Sequence, residues 1–185
     1  MNDILQFLQQ RNSSPKLTEP APSSEELEEM IQAAVRAPDH AWLRPWRFIS
    51  ISGERREAVG EVRERSLIAR DAGADEAARE KARNAPLRAP LLLVAVVNIS
   101  EHPKVPPVEQ RLSTGCAAHG VLLAAEALGY AGIWRTGAPA FDRSVMDELG
   151  LAPTEEIMGF LYLGSRAAAA KRLPALAPQD YLSQW

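Results

Sequence analysis

"RLSTGCAAHGVLLAAEALGY", residues 111–130, decides the fold. Glycine, alanine and aliphatic residues fill the stretch almost without a break, leaving no wide polar face on a helix. Such a segment reads as a buried helix whose small side chains let neighbouring backbones come close. Gly129 suits the residue that closes it, because a left-handed conformation costs glycine nothing. A helix apolar almost all round must be covered on several sides, so the flanking segments have to supply a sheet and further helices.

Just upstream, "LLLVAVVNI" (91–99) is an apolar run of strand length without polar alternation, as expected of a strand buried on both faces. The proline-rich "EHPKVPPVEQ" (101–110) reads as the loop between that strand and the helix. Downstream, "AGIWRTG" (131–137) reads as a short strand and turn, "FDRSVMDELG" (141–150) as a helix, and "EIMGFLYLGS" (156–165) as a second core strand. Towards the N-terminus, "RFISIS" (47–52) has strand composition and stops at Gly53. "PSSEELEEMIQAAVRAP" (22–38) is a helix capped by Ser23 or Ser24, with glutamates in its first turn and Pro38 as its stop. Ile4, Leu5, Phe7 and Leu8 recur at helical spacing before "RNSSPKL" breaks the pattern.

Residues 54–84 are rich in charge and alanine, predicting one or two exposed helices whose charges form solvated faces. The tail, "RAAAAKRLPALAPQDYLSQW" (166–185), has no periodicity, and its terminal aromatics predict that it packs over something. Neither repeat nor linker divides the chain, so residues 1–185 form one domain, an α+β or α/β layer around a central sheet.

The 185 residues are 46% hydrophobic and 24% charged, enough for one ordinary core. A net charge of −3 provides no broad cationic field for nucleic acid or anionic lipid. "APLLLVAVVNI" is too short to span a bilayer, and "MNDILQFLQQRNSS" lacks the order of a signal peptide, so a cytoplasmic protein is expected. Cys116 is the only cysteine, which excludes an internal disulfide and any CxxC pair. His40, His102 and His119 show no metal-ligand spacing, so no metal is expected. Dinucleotide GxGxxG, P-loop, GxSxG and HExxH patterns are absent. Chemistry must therefore come from a bound cofactor or from scattered residues.

Three stretches suit an anionic, planar ligand. "RNSS" (11–14) sets a cation and hydroxyls just past a helix end, as a phosphate cradle or as a capping turn with a solvated arginine. "RAPDHAWLRPW" (36–46) crowds Arg36, His40 and Arg44 beside two tryptophans, of which Trp46 is expected to plug the core. "GIWRTG" (132–137) ends a strand in tryptophan, arginine and a hydroxyl between two glycines, where a ligand can approach the backbone.

Together these stretches, with "KARNAP", "HPKVPPVEQRLSTGCA" and "GFLYLG", make the chain resemble the nitroreductase superfamily almost end to end, in particular its small YdjA-type members. The resemblance implies a nitroreductase-like α+β fold: a mainly antiparallel central sheet flanked by helices, in a homodimer joined along the long helix. It implies FMN at the subunit interface, NADH or NADPH as co-substrate, and a small-molecule electron acceptor of nitro, quinone or related electrophilic type reduced by ping-pong turnover. It assigns Arg11, Asn12 and Ser13 to the phosphate and ribityl end of the flavin. Arg36 and His40 would reach the flavin from the other subunit, with Trp134, Arg135 and Thr136 along the ring and ribityl chain. No protein side chain is assigned a catalytic role, since the flavin N5 carries the chemistry.

The sequence departs from the family pattern at Asn12, which replaces a second cation, and at Trp42 and Arg44, which stand where amides are common. These departures keep a second class in view, a flavin-binding sensor or carrier with little turnover. Lys171 or Arg172 corresponds to the basic pair that larger members carry near the C-terminus. Cys116 is expected as a buried inert thiol, His119 as a core or interface residue, and Glu109 as a helix cap or a residue bordering the site.

Overall fold

The computed structural model describes residues 2–185. Its centre is β5 (Glu155–Arg166), the long strand read from "EIMGFLYLGS". β5 pairs on one edge with β3 (Leu91–Asn98), and β3 in turn with β2 (Trp46–Ser52). On its other edge β5 takes β4 (Ala131–Arg135) and, end to end with it, the two-residue β1 (Leu17–Thr18). Every pairing is antiparallel, as expected of an α+β sheet. β3 is buried from Leu91 through Val97, so the absence of alternation in its sequence correctly marks a strand covered on both faces.

α2 (Ser24–Ala34) and α5 (Pro107–Ala127) cover one face. Ser23 caps α2 in a full capping box with Glu26. Glu26 also accepts a hydrogen bond from the Tyr130 hydroxyl at 2.8 Å, tying α2 to the turn after α5. α3 (Arg55–Arg70) and α6 (Arg143–Glu148) cover the other face, and α4 (Glu76–Arg83) packs against α3. α1 (Asp3–Gln10) sits outside both layers and buries none of its residues.

Several expectations are corrected. α5 begins at Pro107, a turn before the expected start, because proline's fixed φ and missing N–H suit a first helical turn. Gln110, read as loop, is buried in that turn, its amide bonded to the carbonyls of Ser100 and Val105. Gly129 closes the helix at φ +85°, as read.

α5 is not covered all round. Leu112 is 64% exposed, and Cys116 and His119 share its open side. Cys116 is therefore not the buried thiol expected, because small residues on one flank of α5 meet the sheet while the flank of Leu112, Cys116 and His119 is left exposed by the described residues. Nor are the charges of α3 all solvated: Arg63 and Glu64 are buried. The tail from residue 167 is exposed throughout and packs over no core of its own chain. No helix among the described residues is long and apolar enough to cross a membrane.

Candidate functional site

The edge strand β4 gathers two of the three stretches. The Ser14 N–H donates to the Gly132 carbonyl at 3.0 Å, which lays the Arg11–Ser14 turn alongside β4. Arg11 leaves α1 in an extended conformation, and its guanidinium reaches Ser13 Oγ at 3.4 Å. Asn12 and Ser14 are buried. Asn12 Nδ2 donates to the Lys171 carbonyl at 2.6 Å, so the residue that replaces a second cation instead ties the turn to the tail. Lys171 thus enters through its backbone.

Residues alternate across β4. Trp134 faces α5, its Nε1–H donating to the Met158 carbonyl at 3.2 Å and its ring packed against the core on that side. Arg135 and Thr136 line a cavity of about 540 Å³ on the opposite side, between the end of β4 and the helices α3 and α4. Tyr162 of β5 also lines this cavity, and Arg63 donates to its hydroxyl at 3.0 Å while lying 4.9 Å from the ring centre of Phe160. A guanidinium held over an aromatic face gains a cation–π attraction, stronger where water is excluded.

Five cations line the cavity: Arg63, Arg70, Lys81, Arg88 and Arg135. Arg70 reaches Asp142 at 3.7 Å, and the other four make no salt bridge among the described residues. Asp142 is itself held below the usual carboxylate range, chiefly by the hydrogen bond from Ser66. Glu64, next to Arg63 on α3, accepts from Arg79 and Arg83 of α4, each at 2.9 Å, and does not line the cavity. Arg63, Arg70 and Lys81 escape a sequence reading, because in a charge-rich segment nothing marks which positions turn inward, and nothing local marks Arg88 in the turn that follows.

Arg36 and His40 lie on a different surface. Arg36 lines a smaller cleft of about 210 Å³ with Asp39, Trp42, Arg44 and Trp46. The loop there is strained: Ala41, Trp42 and Arg44 adopt φ of +60°, +55° and +50°. Asp39 supports it by accepting the Arg44 N–H at 2.7 Å, and the Arg44 guanidinium stands 6.0 Å from the Trp42 ring centre. His40 Nδ1 lies 2.7 Å from Glu109 Oε2 in the first turn of α5. Glu109 thus pairs with His40 where a capping role was expected, and α5 has no side-chain cap. Trp46 packs half-buried against the α2–α5 core, as read.

The structure therefore brings Arg11, Asn12 and Ser13 beside the strand that carries Trp134 and Arg135, and keeps Arg36 and His40 apart from them. Among the described residues, no group of three or more His, Cys, Asp or Glu is placed to hold a metal ion.

A five-stranded antiparallel sheet between two helical layers, with a cationic cavity at the end of its short edge strand, defines a nitroreductase-like α+β fold. The chain belongs to the nitroreductase family, whose model matches residues 8–165. It is 43% identical over 179 residues to a protein of Escherichia coli (strain K12) named "Putative NAD(P)H nitroreductase YdjA", covering 95% of this chain and 97% of that one. In fold it resembles a nitroreductase-like family protein from Bacillus cereus, with a TM-score of 0.84 and 21% identity over 100% of this chain and 97% of that one. It likewise resembles a "putative nitroreductase in complex with FMN" from Desulfovibrio desulfuricans, with a TM-score of 0.77 and 19% identity over 100% and 98% of the two chains.

Proposed function

We propose that this protein is an FMN-dependent oxidoreductase that works as a homodimer, takes electrons from NADH or NADPH and reduces nitro, quinone or related electrophilic small molecules. The observation that carries the reading is the cavity beside Arg135 and Thr136, at the end of the strand against which the Arg11–Ser14 turn lies. A flavin mononucleotide needs an apolar slot for a flat ring system and positive charge for its anionic parts. The cavity offers the slot, with Leu67, Ala82, Ala85 and Pro139 among its apolar lining and Arg135 beside it, and the Arg11–Ser13 turn alongside β4 offers charge for the phosphate. Bound FMN would supply two-electron chemistry to the two reactants in turn, giving ping-pong kinetics.

The chain's own residues would bind and orient. Arg11 and Ser13 would hold the phosphate by charge-assisted hydrogen bonds, with the turn kept in place by Asn12 and Ser14. Arg135 would place positive charge where the ring system gains electrons, and Thr136 would border it. Trp134 would support the strand from behind. Arg36 and His40 would act from the second subunit, His40 oriented by its contact with Glu109.

Two features support a dimer. α5 leaves Leu112, Cys116 and His119 uncovered, and α1 leaves Ile4, Leu5 and Leu8 exposed, surface that a second copy of the chain would cover. The AlaGly-rich composition of α5 suits close helix approach.

Anaerobic titration of the purified, FMN-loaded protein tests the reading. Bleaching of the flavin absorbance by NADH or NADPH, and its return on adding a nitroaromatic or quinone, is the expected result. Flavin that binds but is not reduced by nicotinamide would identify a carrier or sensor, and failure to take up FMN at all would end the proposal.

A further inference from the structure

We propose that the cavity between β4, α3 and α4 selects a co-reactant bearing a carboxylate or phosphate, through cations that the flavin itself does not use. The inference rests on the flavoenzyme reading above and adds the chemical class of the molecule that shares the site.

Arg63 is the starting point. Its side chain belongs to a residue only 8% exposed, and among the described residues its one side-chain hydrogen-bond partner is the hydroxyl of Tyr162 at 3.0 Å. A guanidinium carries five N–H donors and stays charged at every physiological pH. Burying that charge without a counter-ion is costly, and the Phe160 face offsets only part of the cost. The adjacent carboxylate, Glu64, is already held by Arg79 and Arg83. The charge of Arg63 is thus left facing a cavity whose other cations repel it.

Lys81, at the end of α4, and Arg88, in the 3-10 turn that follows it, stand at the rim of the same cavity, and neither makes a salt bridge among the described residues. Mutual repulsion of unpaired cations around one cavity falls when an anion enters. FMN brings one phosphate group, and the family resemblance assigns it to the Arg11–Ser13 turn. Arg63, Lys81 and Arg88 then remain for a second molecule. Apolar lining from Leu67, Ala78 and Ala82 suits a flat or aromatic body behind the anionic group.

Such an oxyanion has two sources: a carboxylate or phosphate on the electron acceptor, or a phosphate of the nicotinamide nucleotide, either the diphosphate that NADH and NADPH share or the 2′-phosphate that distinguishes them. Equilibrium dialysis against the FMN-loaded protein separates them with matched probes, 4-nitrobenzoate against nitrobenzene and 2′,5′-ADP against adenosine. At least one charged probe is expected to bind about tenfold more tightly than its match, the span of one charge-assisted contact. Preference within the first pair assigns the anion to the acceptor, and within the second to the nicotinamide nucleotide. Added potassium chloride should shrink the preference.

In the double variant Lys81→Met, Arg88→Met the preference should vanish, whereas Lys81→Arg, Arg88→Lys, which keeps both charges, should retain it. Equal binding within both pairs, or a preference that the methionine variant keeps, would overturn the proposal. Loss of FMN affinity in the methionine variant, in step with the preference, would also overturn it by returning these cations to the flavin. FMN uptake by the unmodified protein, read from its visible absorbance, reports separately on the flavoenzyme reading.

Discussion

The indole of Trp134 occupies the space that a side chain at Gly159 would need. A Cβ at that glycine would fall 1.9 Å from Trp134 Nε1, and the same nitrogen donates to the Met158 carbonyl at 3.2 Å. Register explains the arrangement. β3 pairs Ala95 with Gly159 and Val96 with Ile157, so Met158 is the extra residue of a bulge in β5. Alternation along β4, whose own pairing with β5 is unbroken, puts Trp134 on the α5 side and leaves Arg135 to line the cavity on the other.

Gly159→Ala should therefore act at a distance. The alanine methyl would push the ring off its seat, with a cost of about 1–3 kcal/mol for overpacking a fitted core position. A lowered melting temperature together with weaker FMN uptake is expected. The combined variant Gly159→Ala, Trp134→Leu should regain part of the lost melting temperature, because the obstructing ring is gone.

Much of this was legible in the sequence because it is local. The unbroken apolar run 91–97, the capping box at Ser23 and Gly129 after α5 each follow from a few adjacent residues. What the sequence hid depends on partners far along the chain. Arg63 faces inward because Tyr162 and Phe160, about a hundred positions away, form the wall it meets. Glu109 pairs with His40 across 69 residues, a relationship no spacing encodes. Cys116 misleads for the opposite reason, since an apolar helix can owe its composition to surfaces that its own chain does not cover.

Glu155 gives a pH-dependent prediction. The first residue of β5 is buried, and it accepts from Arg47 Nη2 at 2.7 Å and from the Ala152 N–H at 2.8 Å. The Arg47 hydrogen bond, followed by that of Ala152, holds its carboxyl below the ordinary range. A depressed folded-state pKa contributes stability that is present above the unfolded value of about 4.3 and lost as pH falls through the folded value. Glu155→Gln should cost about 2 kcal/mol near neutrality, the scale of a hydrogen bond to a charged group. The gap between wild type and variant in urea unfolding should narrow as the pH drops below about 4.

Leu112→Glu tests the open side of α5. Leu112 is 64% exposed in the single chain, so a glutamate there leaves the fold of one subunit intact. Ala118, by contrast, is buried within the chain's own core and would report on folding instead. If two copies join along this side, sedimentation should show a dimer for the wild type and a monomer for Leu112→Glu with unchanged secondary structure. A variant that stays dimeric would move the interface away from α5.

Arg11→Ala carries the test of the cofactor site to a single contact. Among the described residues Arg11 reaches only Ser13 Oγ, at 3.4 Å, so its removal leaves none of their carboxylates unpaired and disturbs little of the folded chain. The turn keeps its place through the Ser14 N–H bond to Gly132 and through the Asn12 bond to the tail. Stability should therefore change by less than about 0.5 kcal/mol, as for most surface substitutions. Affinity for FMN should fall by about 1.5–3 kcal/mol, the contribution of a hydrogen bond to a charged group. Riboflavin, which has the ring but no phosphate, should bind Arg11→Ala and wild type alike. Equal loss for both ligands would mean that Arg11 meets the ring system and not the phosphate, and no loss for either would remove it from the site.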